Sequence, residues 1–180
     1  MATAGLTIWT IGHSTRTLDE FLAMLASQRI ELLADVRTLP GSRRYPQFNK
    51  ESLEDVLPAA GVEYRHLTDL GGRRRARRDS PNTAWRNESF RGYADYMATA
   101  EFRGALARLR DVARERRTAV MCAEAVWWRC HRSMIADALK ATGVTVLHIL
   151  SATKVEEHPY TRAAAIVDGR LSYGGEPMAF

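Results

Sequence analysis

Two cysteines, Cys122 and Cys130, stand eight residues apart and are the only thiols of the chain. Glu124, His131 and Arg132 belong to the same stretch, where an apolar run passes into a helical pattern. A thiol beside a helix N-terminus and cationic side chains is favoured in its nucleophilic thiolate form. The stretch therefore predicts a catalytic site in which Cys122 is the nucleophile, His131 is the base and Glu124 orients that imidazole.

The second thiol adds further interpretations. Cys130 is placed to resolve a sulfenic acid or a mixed disulfide on Cys122. Alternatively, Cys122, Cys130, His131 and His13 supply the thiolate and imidazole ligands that suit zinc, although no CxxC pair is present. Cys122 can also be a small buried residue that ends a strand, which is the usual role of a free cysteine. The sequence thus predicts no required cofactor and leaves zinc open.

Polar residues also follow two other apolar runs. His13 and Ser14 follow the first run, and Asp35 and Arg37 follow the second. His13 can be a general acid or base, a hydrogen-bond donor to the substrate, or a histidine that only satisfies the hydrogen bonds of a turn. Asp35 and Arg37 are two residues apart and share one face of an extended strand. They predict either an ion pair in the floor of the site or direct contacts to substrate.

Several residue types indicate an anionic substrate, because guanidinium groups and free amides hold phosphates and oxyanions. The candidates for binding it are Ser14, Asp35, Arg37, Ser42, Arg43 and Arg132. Trp127 and Trp128 lie between the two thiols. They can stack on a nucleobase or another planar group, or they can cover the loop against a helix.

The net charge of the chain also favours an anionic partner. The net charge is +5, and residues 73–78 hold five arginines in six positions. This run begins the longest irregular stretch, residues 73–88. Basic runs bind phosphates in a salt-sensitive manner, but they are also common false positives on solvated loops. We therefore expect an anionic small molecule or a nucleic acid as partner, with a non-catalytic binding module as the alternative to an enzyme.

Missing motifs exclude several classes of function. The chain has no G-x-G-x-x-G after a strand, no Gly-rich phosphate loop with Lys and Ser/Thr, and no G-x-S-x-G elbow. A dinucleotide cofactor and the usual nucleotide hydrolysis are therefore not expected. No apolar run approaches the roughly 18 residues that span a bilayer, and no secretion signal is present at the N-terminus. These features predict a cytoplasmic protein without a membrane partner.

Strand and helix patterns alternate along the chain and must position these groups. The predicted strands are residues 6–11, 30–36, 62–67, 119–122 and 144–150. The predicted helices begin after a capping box at Thr17, at Asn49, at Phe90 with a break near Thr99, and near His131. Such alternation predicts a single α/β domain over residues 1–180 with a mostly parallel open sheet of about five strands, flanked by helices.

The last segment predicts a different element. Asp168 and Gly169 separate two short apolar runs, and Asp-Gly suits the tight turn of a β-hairpin at about residues 164–174. In open parallel sheets, ligands bind at the carboxyl ends of the strands. His13, Asp35 and Cys122 all stand at such ends, which supports one shared site.

Several separate blocks resemble one family. They are 10–15 (TIGHST), 35–37 (DVR) with Pro40 and Ser42, 46–48 (PQF), 70–72 (LGG), 90–97 (FRGYADYM), and the CAE and CHR triplets at 122–124 and 130–132. In this order they resemble the bacterial family catalogued as domain of unknown function 488, from about residue 7 to about residue 149. The resemblance implies an α/β organisation and supports the same site residues. It leaves the reaction open, since the family's activity is not established.

Overall fold

Helices and strands alternate along most of the computed structural model, which describes residues 5–180. The helices are α1 (Leu18–Ser27), α2 (Lys50–Val56), α3 (Glu88–Met97), α4 (Ala100–Glu115) and α5 (Arg132–Ala141). The strands are β1 (Thr7–Gly12), β2 (Leu32–Asp35), β3 (Glu63–His66), β4 (Thr118–Cys122), β5 (Thr145–Ile149), β6 (Val155–Glu157), β7 (Ala165–Val167) and β8 (Arg170–Ser172). No helix in the described part of the chain is long and apolar enough to cross a membrane.

One sheet holds six of the strands, in the order β3-β2-β4-β1-β5-β6. The first five are parallel to their neighbours, and β6 pairs with β5 in the antiparallel sense. The prediction of a mostly parallel α/β sheet is confirmed. The predicted number of about five strands omits β6, because this three-residue edge strand is half-exposed and polar and has no apolar pattern.

The C-terminal hairpin is also confirmed. Strands β7 and β8 pair with each other as a separate two-stranded sheet. Asp168 and Gly169 form the turn with φ values of 50° and 75°. Positive φ at both central residues is the geometry that makes Asp-Gly favourable in tight hairpins.

Helix starts follow their predicted signals with one exception. Thr17 and Glu20 form the reciprocal capping box of α1, and the Thr99 hydroxyl accepts from Phe102 N at the start of α4. Asn49 stands at the cap position of α2, but its Oδ1 accepts from Ser42 N at 2.6 Å instead. Asn49 therefore fastens the loop after β2, which lines the candidate site described below.

Helices cover both faces of the sheet, and strand alternation decides which side chains meet them. In β4, Val120 packs in the core formed by α3, α4 and α5, whereas Ala119 and Met121 pack in the core formed by α1 and α2. Successive side chains of a strand point to opposite faces. Cys122 therefore continues the face of α5. His13 continues the face of α1 and α2, where Ile11 packs.

Candidate active site

Cys122 ends β4 and contacts the first residue of α5. The Arg132 side chain donates from Nη1 to Cys122 Sγ at 2.6 Å, and it also donates to the carbonyls of Glu124 at 2.6 Å and Ala125 at 3.1 Å. Arg132 is only 1% exposed. No carboxylate among residues 5–180 forms a salt bridge with it. The sulfur of Cys122 is thus the ionisable group that faces this buried cation.

This pairing decides the protonation of Cys122. Burial raises the pKa of the thiol, but hydrogen bonding from Cys130 and the charge of Arg132 outweigh burial and lower the pKa of Cys122 to about 7. An unpaired buried cation lowers the stability of the folded state, and a thiolate beside it removes much of that free-energy cost.

Gly12, at the end of β1, leaves room for this pair. A Cβ at Gly12 would lie 1.8 Å from the Glu124 carbonyl oxygen. The glycine lets β1 end directly against this pair.

Cys130 lies two residues before the first residue of α5. Arg132 N donates to Cys130 Sγ at 3.4 Å. The prediction placed the free amides of the helix beside Cys122, but this amide bonds to Cys130 instead. His131 Nδ1 lies 3.6 Å from the same sulfur. Burial, followed by the neighbouring Cys122, raises the pKa of Cys130 well above its usual value. The two cysteines are therefore unlike, because the pKa of Cys122 is lowered and that of Cys130 is raised, and both thiols are free.

His131 faces Cys130, not Cys122. Its Nε2 donates to Val36 O at 3.0 Å, which leaves Nδ1 as the acceptor, and burial lowers its pKa to about 4. A Cβ at Gly72 would lie 2.5 Å from Nδ1, so a glycine is needed where this loop covers the imidazole. The Glu124 side chain is exposed, and Val36 orients the ring instead. The predicted pair of His131 and Glu124 is not formed, because the β4–α5 loop turns Glu124 outward.

Arg37 is held in place by Asp35 on the other face of the sheet. Arg37 donates to Asp35 from Nε at 2.9 Å and from Nη2 at 2.7 Å, and Nη2 also donates to Phe48 O at 2.7 Å. Nη1 donates to His13 Nε2 at 3.2 Å, which leaves one Nη1 hydrogen for a ligand. Asp35 is fully buried and also accepts from Tyr64 OH at 2.5 Å. Asp35 and Arg37 thus form the ion pair that was one of the two predicted alternatives. Asp35 positions Arg37 and lines neither of the cavities described below, so it is not placed to bind substrate itself.

His13 completes this cluster. Its Nδ1 donates to Ser14 O at 2.9 Å, and its ring stacks on Phe48 with centroids 4.5 Å apart. Burial lowers the pKa of His13 to about 4, and the charge of Arg37 also lowers it. The ring is therefore neutral at pH 7 with both nitrogens engaged, and it holds Arg37 in place instead of moving protons. Ser14 has a φ of 49°, a conformation that non-glycine residues rarely adopt outside functional turns.

Two adjoining cavities lie over the carboxyl ends of β1, β2 and β4. The first, of about 310 Å³, is lined by Cys122, Cys130 and His131, and we call it the thiol lobe. The second, of about 450 Å³, is lined by His13, Ser14 and Ser42, and we call it the serine lobe. The residues that line both lobes are Arg37, Leu39, Ala123, Glu124 and Arg129. The predicted strand-end residues thus meet at one cleft with two lobes.

Some predicted residues lie elsewhere. Arg43 is exposed and lines neither lobe. Trp127 stacks on His148 with centroids 4.7 Å apart, and Trp128 is 54% exposed. Both tryptophans line a third cavity outside the cleft, of about 570 Å³. Their position in the sequence between two site residues therefore does not place them in the same site. The loop turns both rings away from the cleft, Trp127 into the interior and Trp128 towards solvent.

The four zinc candidates do not converge. Within residues 5–180, no three His, Cys, Asp or Glu side chains are close enough together to hold a metal ion. Strand alternation turns His13 to the face of α1 and α2, and Cys122 to the face of α5. The His131 ring is turned to Val36 and Cys130. The arrangement of the described residues therefore does not bring this set together as one zinc site.

Several residues of the cleft were missed from the sequence. Leu39 and Arg129 stand between the lobes, and Gly72, Arg73 and Phe90 line the thiol lobe. Gly72 and Phe90 belong to family-like blocks, which are the available signal. The other three come from loops. Only long-range packing brings them to the cleft.

The arginine-rich stretch is ordered by Asp95 of α3. This carboxylate accepts from Arg77 N at 2.7 Å, from Ser80 Oγ at 2.5 Å and from Asn82 Nδ2 at 2.8 Å. The Arg74 guanidinium lies 3.6 Å from the centre of the Tyr96 ring. Of the five arginines in the run, Arg73 alone lines the cleft.

The fold and the cleft together define a mostly parallel α/β protein with a buried cysteine–arginine pair at the carboxyl edge of its sheet. The chain belongs to the family described as domain of unknown function DUF488, whose model matches residues 17–139. The matched region contains Arg37, both cysteines and Arg132, and it begins after His13. Neither the curated proteins nor the solved structures contain a match to this chain.

Proposed function

We propose that the protein is a thiol-based enzyme in which Cys122 is the nucleophile or redox centre and the substrate is anionic, with a phosphate or nucleotide group. The observation that carries this proposal is the contact of Cys122 Sγ with the buried Arg132. A purely structural cysteine has no need of a buried guanidinium. A thiolate nucleophile requires such a neighbour, since a lowered pKa is what activates a thiol near pH 7.

The cleft is suited to anions. Arg37 keeps one Nη1 hydrogen for a ligand, and Arg73 and Arg129 line the walls. Glu124 is the single carboxylate among the residues lining the two lobes. In this proposal the arginines hold the negative group of the substrate beside Cys122. Glu124, and not His13 or His131, exchanges protons with the reacting groups, because both imidazoles are kept neutral by burial.

Cys130 favours a redox form of the same proposal. In a thiol–disulfide exchange, the Cys122 thiolate attacks one sulfur of a substrate disulfide and releases the other as a thiolate. Cys130 then transfers its proton to the released substrate thiolate, attacks Cys122 Sγ and releases the second substrate sulfur as a thiolate. The Cys122–Cys130 disulfide is formed, and the substrate gains the two electrons. Cys122 and Cys130 line the same thiol lobe, which supports the second attack.

The pH dependence of alkylation tests the thiolate. We expect iodoacetamide to modify Cys122 with a midpoint near pH 7, below the value of roughly 8.5 for an ordinary cysteine. Cys130 is expected to react appreciably only above pH 9, because its pKa is raised. Tryptic cleavage after Arg129 separates the two cysteines, so mass spectrometry follows each rate in the unmodified protein.

A Cys122 midpoint of 8.5 or higher would contradict the enzyme. Together with tight, salt-dependent binding of an oligonucleotide, it would support the second candidate, a non-catalytic module for nucleic acid or nucleotides. That candidate relies on the cationic walls of the cleft. It makes no use of Cys122.

The buried imidazoles predict a loss of stability in weak acid. The pKa values of His13 and His131 are near 4 in the folded protein and near 6.5 in the unfolded chain. Below pH 6.5 the unfolded state therefore binds protons that the folded state does not, and the free energy of unfolding falls. At pH 5 the loss is roughly 2 kcal/mol for each histidine. Burial also lowers the pKa of His148, to about 2, so a third ring contributes a similar loss. Urea unfolding at pH 7.5 and pH 5.0 measures the total, and H131Q is expected to show about two thirds of it. Equal unfolding free energies at the two pH values would count against neutral, buried rings.

A further inference from the structure

The third cavity gathers three of the four tryptophans of the chain. Trp85, Trp127, Trp128, Tyr160 and Arg162 line it, and we call it the tryptophan cavity. Its volume of about 570 Å³ falls within the range of roughly 300–1,000 Å³ that is usual for small-molecule sites. It lies on the opposite side of the loop between Cys122 and Cys130, and the proposed thiol chemistry makes no use of it.

Two indole rings of this cavity meet at a right angle, and the buried one is held in place. Trp127 is buried and stacks on His148 with an interplanar angle of 5°. Trp128 stands at 88° to Trp127 with centroids 5.4 Å apart. The two indoles thus form a corner, in which a planar group can stack on the exposed ring of Trp128 and direct its edge to Trp127. Trp127 therefore has little side-chain entropy to lose when a ligand binds there.

The charge at the rim selects between planar ligands. Arg162 is exposed, and no carboxylate of the described residues pairs with it. Lys140 lies 5.3 Å from the centre of the Tyr160 ring and is engaged by Glu157 at 3.8 Å. An unpaired guanidinium disfavours a quaternary ammonium ligand, which an uncharged aromatic cage would bind. It favours a planar ligand that carries a negative charge.

We propose that the tryptophan cavity binds a nucleobase carried on a sugar phosphate. The base stacks on Trp128, and the phosphate pairs with Arg162. The ligand is either a free nucleotide or a nucleotide within a single strand, since both have the same base and phosphate. This site does not depend on the reactivity of Cys122.

Calorimetric titration of the full chain with AMP, adenosine and ribose 5-phosphate tests the site. W128A is expected to weaken both AMP and adenosine by at least about fivefold, the low end for loss of one base–aromatic stack. R162A is expected to weaken AMP and to leave adenosine unchanged. I166A and R170A are the matched controls, because they remove an exposed apolar residue and an exposed arginine that do not line the cavity. Thermal unfolding checks that each variant is folded.

Anisotropy with labelled dT10 identifies the source of the nucleotide. Tighter binding of dT10 than of TMP supports a single strand, and weaker binding supports a free nucleotide. The proposal is overturned if ribose 5-phosphate binds as well as AMP, if W128A binds AMP normally, or if a proline-rich peptide binds the cavity and nucleotides do not. C122S is expected to bind AMP as the unmodified protein does. A failure of the proposed thiol enzyme therefore leaves this result interpretable.

Discussion

Replacing Arg132 by methionine is expected to lower the alkylation rate of Cys122 at pH 7 by at least about fifteenfold. With the guanidinium removed, burial is opposed chiefly by the hydrogen bond from Cys130, and the pKa of Cys122 rises to the ordinary range of a cysteine, roughly 8.5, or above. The thiolate fraction at pH 7 then falls from about one half to about one thirtieth. Any turnover that uses the thiolate should fall in parallel. The measurement is the pH profile of iodoacetamide modification, read on the tryptic peptide that contains Cys122.

R132M is also expected to remain folded. Methionine is apolar and fills a similar space, and a Cys122 thiol that stays protonated leaves no unpaired buried charge. R132M should therefore fold, with a cost confined to the carbonyls of Glu124 and Ala125 that lose their donor. R114M is the control, since Arg114 is exposed and pairs with Asp111 on the surface. If R132M keeps a Cys122 midpoint near pH 7, the guanidinium is not the source of the thiolate.

Replacing Asp137 by alanine is expected to destabilise the protein by about 3–5 kcal/mol, the cost of breaking a buried charged network. Asp137 of α5 is fully buried and accepts from His158 Nε2 at 2.8 Å, from Thr161 N at 2.9 Å, from Thr161 Oγ1 at 2.6 Å and from Tyr173 OH at 2.7 Å. Alanine leaves all four donors without an acceptor in an apolar interior. Urea unfolding at pH 7.5 measures the loss.

The network also fastens the C-terminal segment to the sheet. His148 Nε2 donates to His158 Nδ1 at 2.8 Å, and the Thr10 hydroxyl donates to His148 Nδ1 at 2.5 Å. Hydrogen exchange in D137A should therefore increase first in residues 158–173. D55A, on the exposed face of α2, is the control and should unfold as the unmodified protein does. Protection of residues 158–173 that is unchanged in D137A would show that other contacts hold this segment.

Local patterns determined most of the fold. Apolar runs of strand length, the capping box at Thr17 and the Asp168–Gly169 turn each depend on residues close together in the sequence. The parallel sheet and its hairpin could therefore be predicted. β6 could not, because a short edge strand buries little and needs no apolar pattern. Asn49 was also misread, since its side chain bonds to a loop seven residues earlier.

The composition of the site was determined by the sequence, and the pairing within it was decided by the tertiary structure. The strand ends placed His13, Arg37 and Cys122 at one edge, because the carboxyl ends of parallel strands meet there. Which group faces which depends on strand alternation and on the path of the β4–α5 loop. These turned His13 and Cys122 to opposite faces, directed Glu124 outward and buried Arg132 against the thiol. The physical reason is that charge pairing in an interior depends on three-dimensional distance and burial, which spacing along a chain does not specify.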